Sequence, residues 1–310
     1  MLIYLDGATS RQASPNENFA REVMELFTLG EGHYSEQDIK EAARAFTGRG
    51  FAPACGEFIW RPVLHDAGEK RVLGRLGAFD GDAMLDILLA QPATAEFLAT
   101  KLWREFVSPS LDPAELRRIA AALRGAGYEL RPALRVLLLS EKFWAPTTRG
   151  QLIKAPTDFV VGTLRTLAVD VPDPLPLVFA LRNLGQDLFA PPNVRGWPGG
   201  EHWINSSTLL ARKQFIERLL RATEKESQQA MRREMLGEGG GRMGPAGRAR
   251  VVEAMMQIHF DSALWLARYP SKSTLELLLL ALPPVQAPAE SSSGQPLLRT
   301  LLLDPVYQLK

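Results

Sequence analysis

Glu22 and Glu25 stand three residues apart in the run Asn16-Glu-Asn-Phe-Ala-Arg-Glu-Val-Met-Glu-Leu-Phe-Thr-Leu-Gly30. On a helix that spacing brings their Cβ atoms to about 5–6 Å of one another. Carboxylates projecting from bundle helices can hold a divalent metal, as Glu and Glu-x-x-His pairs do in di-iron bundles. Glu22-x-x-Glu25 lacks the His, so a solvated stripe shared with Asn18 and Arg21 is the competing reading.

His65-Asp66 follows Val63 and precedes Gly68 and Lys70. A His beside an acid in a glycine-containing loop can serve as a general base, as a metal ligand, or as a turn whose carboxylate accepts backbone N–H bonds. His65 and Asp66 are therefore the catalytic candidates, and Glu22, Glu25 and His65 the metal candidates. His33, after Gly30-Glu-Gly32, suits a helix junction. Asp80-Gly81-Asp82 with Asp86 invites a calcium reading, but the twelfth position, where an EF-hand needs Glu, is Gln91, and helix capping is preferred.

Gly196-Trp-Pro-Gly-Gly-Glu-His-Trp-Ile-Asn-Ser206 places two indoles and an imidazole around a rigid turn. Trp197, His202, Trp203 and Asn205 could form a stacking platform for a sugar or peptide. The alternative is a plug in which both indoles bury and Ser206 or Ser207 caps the next helix. No nucleophile elbow, phosphate-binding loop, His-Glu-x-x-His or dinucleotide fingerprint is present. Four His residues, at 33, 65, 202 and 259, give little for an all-His metal site.

The elements that would carry these residues read as helices. Ser14-Pro15-Asn16-Glu17 resembles a capping box, after which Phe19, Val23, Leu26 and Phe27 share a face until Gly30. Ser35 with Asp38 repeats that signal, with Ile39, Ala42, Ala43 and Phe46 inward and Gly48 closing. Asp80 caps a helix to Ala90, and Pro92 opens another through Val107 with Ala95, Leu98, Ala99, Leu102 and Phe106 as its apolar stripe. Asp112-Pro113-x-Glu115 starts the next, ending at Gly125-Ala-Gly127. Further helices are expected at 131–140, 154–168, 174–184, 206–236, 248–268 and 273–282.

Residues 48–77 form the irregular insert, with Glu57-Phe58-Ile59-Trp60 able to pair as a strand. The glycine-rich stretch 237–247 reads as a flexible loop. The expectation is an all-α multi-helix bundle with a main domain over 1–236, that loop at 237–247, and C-terminal helices over 248–310 packing back on the main domain. A chain of 310 residues can bury a sizeable core without metal or disulfide staples.

Lys and Arg number 36 against 35 Asp and Glu, for a net charge of +1. That balance argues against a general nucleic-acid-binding surface. The ten basic and five acidic residues of Ala211–Arg250 interleave as on a solvated helix. No apolar run approaches the roughly 20 residues of a membrane span; Leu277–Leu282 reads as core. Met1-Leu-Ile-Tyr-Leu-Asp6 lacks the basic and apolar regions of a signal peptide. Cys55 is the one cysteine, so no internal disulfide forms.

The run 16–30 and the following Tyr34-Ser-Glu-Gln-Asp-Ile-Lys-Glu-Ala-Ala-Arg-Ala-Phe-Thr-Gly48 resemble the bacterial family called domain of unknown function 1800. The similarity continues through His65-Asp66-x-Gly68-x-Lys70, Lys101-Leu102-Trp103, Leu184-Gly-Gln-x-Leu-Phe-x-Pro-Pro192, Gly196-Trp-Pro-Gly-Gly200 and Asp304-Pro-x-Tyr-Gln308. The resemblance implies that relatives begin upstream with a Trp-x-Asn-His-Phe-type segment, which makes this chain an N-terminally truncated member. It also implies frequent export to the periplasm and a neighbouring gene for a secreted phosphatase-like protein. Two functions follow as expectations. One is a helical scaffold or partner of that phosphatase-like protein. The other is a carboxylate and histidine metal-dependent enzyme using Glu22, Glu25 and His65, completed by the upstream segment.

Overall fold

The computed structural model describes residues 2–221 and 245–310. The chain divides into two compact units, Met1–Trp144 and Ala145–Lys310. The fold is mainly helical, as expected, with two small antiparallel hairpins in the first unit. Most of the glycine-rich stretch, 237–244, lies outside the described residues. So does the expected continuation of the 206–236 helix beyond Arg221.

In the first unit, α1 (Glu17–Glu22) is capped by Asn16, whose Oδ1 accepts from the Phe19 backbone N–H at 2.9 Å. Ser14 does not cap; it closes a small turn with Arg11. A π-helical segment, Val23–Thr28, follows without a break. Its signature is the Leu29 N–H donating to the Met24 carbonyl at 2.7 Å, five residues back. The extra residue in that turn rotates the buried face: Met24, Thr28 and Leu29 go inside, and Phe27, expected on the apolar face, is 44 % exposed.

The second helix, α2 (Glu36–Ala45), has the expected Ser35–Asp38 capping box and buries Ile39, Ala42, Ala43 and Phe46. The irregular insert then folds as two small hairpins. In one, β1 (Arg49–Phe51) pairs antiparallel with β2 (Phe58–Trp60), Gly50 opposite Ile59. In the other, β3 (Lys70–Val72) pairs with β4 (Arg75–Gly77) and packs on α2. Gly48, at φ +81°, permits the transition between helix and hairpin: a Cβ there would lie 2.8 Å from the Arg61 carbonyl oxygen.

Four longer helices complete this unit: α3 (Gly81–Ala90), α4 (Pro92–Phe106), α5 (Pro113–Gly125) and α6 (Leu130–Leu138). The short α7 (Glu141–Trp144) ends it. The α4 stripe is centred one position away from the expected set. Thr94, Ala95, Ala99 and Trp103 are buried and Phe106 is 43 % exposed. Trp103 can go inside because its indole N–H reaches the Ser110 carbonyl at 2.8 Å. Ile119, Leu123, Ala133 and Leu137 from α5 and α6 close that core.

The second unit comprises α8 (Pro156–Thr166), α9 (Leu175–Asn183), α10 (Ser206–Arg221), α11 (Pro245–Met256), α12 (Ser262–Arg268), α13 (Lys272–Leu279) and α14 (Gly294–Leu303). One core joins Phe159, Val160 and Leu164 of α8 to Phe215 and Ile216 of α10 and Leu298, Leu301 and Leu302 of α14. The helix expected over 248–268 breaks into α11 and α12. Asp261 caps the second piece through the Leu264 N–H, and His259 bridges to Asp170. Leu277, expected in the core, is 70 % exposed, while Leu279 and Leu280 are buried.

Candidate functional site

In the first unit the His65-Asp66 turn is held by α2. The Arg44 guanidinium donates to the Asp66 carboxylate at 2.7 and 3.2 Å, to Glu41 at 2.7 Å, and to the Glu69 carbonyl at 3.1 Å. Hydrogen bonding from Arg44 holds the Asp66 carboxyl below the usual carboxylate range. Lys70, 1 % exposed, donates through Nζ to the Asp66 and Gly68 carbonyls at 2.5 and 2.8 Å. Burial lowers its pKa.

Thr47 links the turn to the helix end. Its hydroxyl donates to the Arg44 carbonyl at 2.6 Å and accepts the Asp66 N–H at 2.9 Å. His65 Nδ1 lies 3.1 Å from the Thr47 carbonyl, which can only accept, so the proton is on Nδ1. The imidazole packs on Trp60 with ring centroids 4.9 Å apart. Of the three sequence readings for His65-Asp66, these bonds match the turn.

Glu25 accepts from the Tyr34 hydroxyl at 3.1 Å, and burial, then this bond, raises the tyrosine pKa to about 12. Glu22 also has a partner. Among the described residues, no three His, Cys, Asp or Glu side chains converge as metal ligands, so Glu22, Glu25 and His65 are not brought together. Asp80 caps α3 through the Asp82 and Ala83 N–H groups, and Asp82 pairs with Arg49 at 3.0 Å. His33 is exposed.

In the second unit the Trp-rich turn is divided in its exposure. Trp203 is buried, Trp197 is half-buried, and His202 and Asn205 are exposed. Asn205 takes the capping role expected of Ser206 or Ser207: its Oδ1 accepts the Thr208 N–H at 3.0 Å while its own N–H donates to Thr208 Oγ1 at 2.9 Å.

A second cluster, not singled out by motif reading, lies under α10. Arg212 is completely buried. Its guanidinium donates to Gln308 Oε1 at 3.0 Å and to the Lys154 carbonyl at 2.8 Å, and sits 4.8 Å from the Phe159 ring centroid. Its Nε has no hydrogen-bond partner among the described residues. Lys154 Nζ donates to the Tyr307 carbonyl at 2.8 Å and lies 3.8 Å from the Tyr307 ring centroid.

Burial is the main cause that lowers Lys154 to about 8 and Arg212 to about 10; the charge of Arg212 adds to the effect on Lys154. Asp158, which pairs with Lys310 at 2.6 Å, opposes both shifts. A signal for this cluster was present in the sequence. Thr208, Arg212, Phe215, Ile216 and Leu219 form the buried stripe of α10, so the arginine occupies a core position in the helical period.

Arg212 also lines a groove of about 930 Å³ with Ile153, Ile204, Leu209, Leu210 and Leu309. Such a volume accommodates a small organic ligand. Leu209 and Leu210, on α10, are about half exposed, and Lys213 and Glu201 also border the groove.

A family model described as "Protein of unknown function (DUF1800)" matches residues 1–309. No curated protein and no solved structure matches the chain.

Proposed function

We propose that this chain, which belongs to the DUF1800 family, acts by binding as a helical scaffold for a partner protein, the secreted phosphatase-like protein that the family resemblance implies. The observation that carries the reading is the surface of the insert. Phe58 is 55 % exposed and Trp60 38 %, on one side of β2, and Val63 just beyond is 92 % exposed. Two aromatic rings on a two-stranded hairpin and a branched side chain in the turn after it give a large apolar contact surface at low entropic cost.

The polar residues behind that surface support the same reading. Thr47, Asp66, Arg44 and Lys70 bond to one another and to backbone carbonyls, which fixes the insert on α2. A fixed surface loses little freedom on association.

Co-purification of the two full-length proteins tests the proposal. Association is expected, weakened by Phe58→Ser and by Val63→Asp, with both variants retaining wild-type circular dichroism. Failure to associate at every salt concentration tried would overturn it, and so would association that neither variant weakens.

A further inference from the structure

We infer that the groove beside α10 in the second unit is a binding site for an amphipathic monocarboxylate, its acid group directed to Arg212 and its alkyl chain along the leucine and isoleucine wall. The inference is independent of the partner reading, which concerns the first unit.

Three features of the site converge on that chemistry. First, the floor is cationic beyond what the fold balances. Arg212 lines the groove, its terminal nitrogens held by a carbonyl and an amide oxygen, with Lys154 behind it on the Tyr307 carbonyl and ring, and among the described residues neither forms an ion pair with an acid. The nearby carboxylate of Asp158 is already paired with Lys310 and caps the Ala155 N–H. Two desolvated cations with no carboxylate bound to either favour an anion entering from outside.

Second, Arg212 keeps a donor in reserve. Among the described residues the Nε–H is buried without a partner, and an orphan donor on a buried guanidinium is rare in folded proteins. The Nε–H offers one charge-assisted donor, which a single carboxylate oxygen can satisfy. A phosphate monoester has three oxygens to satisfy, whereas both terminal nitrogens of Arg212 are already in hydrogen bonds. The headgroup assigned is therefore a carboxylate.

Third, the walls are apolar and open. Ile153, Ile204, Leu209, Leu210 and Leu309 surround about 930 Å³, and Leu210 is 55 % exposed although it lies on the groove. Covering such side chains with an alkyl chain removes apolar surface from water, which is favourable. Glu201 and Lys213 at the border are of opposite charge and leave the cationic floor to decide the sign of the ligand.

Calorimetric titration of the full chain with laurate, dodecanol, dodecyl phosphate and acetate, each below its micellar concentration, tests the assignment. Laurate is expected to saturate a single site and to bind about tenfold or more tighter than dodecanol, the difference of one charge-assisted contact. Acetate is expected to give no measurable heat, and dodecyl phosphate to bind more weakly than laurate. Arg212→Lys should weaken laurate about tenfold by removing the Nε–H donor. Because that residue is buried, Leu210→Asp on the exposed wall is the second variant, expected to keep the fold and to abolish laurate binding. Equal affinity for laurate and dodecanol would overturn the assignment, as would tighter binding of dodecyl phosphate, or laurate binding indifferent to Leu210→Asp.

Discussion

Each unit places a lysine and an arginine at the centre of a polar cluster, and the two satisfy them in opposite ways. In the first, Arg44 and Lys70 lie among the carboxylates of Glu41 and Asp66 and the carbonyls of Asp66, Gly68 and Glu69, so charge is matched within the cluster. In the second, Arg212 and Lys154 lie against the Phe159 and Tyr307 rings and against carbonyls, while the neighbouring acid, Asp158, pairs with Lys310. Matched charge fixes a turn. Unmatched charge leaves a field that a ligand can answer. The same residue types thus carry architecture in one unit and a capacity for binding in the other.

The strongest way to break this contrast is to remove the matching acid. Asp66→Ala would leave Glu41 as the one carboxylate bonded to Arg44 and would delete the carboxylate that accepts the Gly68 N–H, while Lys70 keeps its backbone carbonyls. Breaking a buried pair costs about 3–5 kcal/mol. The Arg44 and Asp66 side chains retain 29 % and 13 % of their exposure, so the low end, about 3 kcal/mol, is expected. Urea unfolding followed through far-ultraviolet dichroism would measure it. A loss under about 1 kcal/mol, the scale of an exposed pair, would mean the cluster is no more than surface decoration.

The response to pH should separate the units next. Asp66 and Asp38 have folded pKa values below the ordinary 3.8. Their stabilisation is therefore present above that value and is lost as pH falls through the folded ones, which weakens the first unit in acid. In the second unit, Lys154 titrates at about 8 when folded and 10.5 when unfolded. The unfolded chain holds more protons between those values, so stability rises with pH there. Tyr307 acts in the other direction above pH 10, since burial raises it to about 12 from 10. Between pH 8 and 10 a gain of about 2 kcal/mol is expected from Lys154. The difference in slope between wild type and Lys154→Met, which keeps the stem over Tyr307, isolates it; identical slopes would show that the ammonium is well solvated.

A smaller effect is expected at His65. Its Nδ1 proton bonds the Thr47 carbonyl and its ring packs on Trp60. His65→Ala should cost about 1–2 kcal/mol, the sum of one net hydrogen bond and a ring contact. Trp60 fluorescence should shift with the substitution. Metal content that falls with His65→Ala while stability holds would reverse the structural assignment of this residue.

Much of this was legible in sequence wherever one short pattern determines one geometry. Ser35 with Asp38 formed the capping box, Asp80 and Asp112 capped, and Phe58-Ile-Trp60 formed a strand. The π turn at Val23–Thr28 was not legible, because Phe19, Val23, Leu26 and Phe27 fit an ordinary helix and only the hydrogen bond from Leu29 to Met24 reveals the added residue. The break between α11 and α12 was hidden by continuous helix-forming residues, and the Asp261 cap fixes it only together with the bridge from His259 to Asp170. Arg212 escaped because charge within a helix suggests solvent. Its position among Thr208, Phe215 and Ile216 said otherwise, but the groove that Arg212 and Leu210 line is made by residues 156 positions apart at the extremes, from Ile153 to Leu309.

Asn205 offers the smallest test and bears on the edge of that groove. The sequence offered it one role, a ligand-facing amide beside Trp203, and gave the cap to Ser206 or Ser207; the bonds to Thr208 put the cap on Asn205 instead. Asn205→Ala should therefore cost about 1 kcal/mol, the usual loss for a cap. Asn205→Asp and Asn205→Ser should recover most of it, since either side chain supplies the oxygen that the Thr208 N–H needs. The cost should appear in thermal unfolding as a shift of about 2–4 °C, given the size of the unit. Laurate affinity should be unchanged in all three, because the groove walls come from Ile204, Leu209 and Leu210 on either side of the cap. A variant that keeps its stability and loses laurate would move Asn205 from the frame of the site into the site, and the contrast between architectural and binding polar groups would then fail inside the second unit itself.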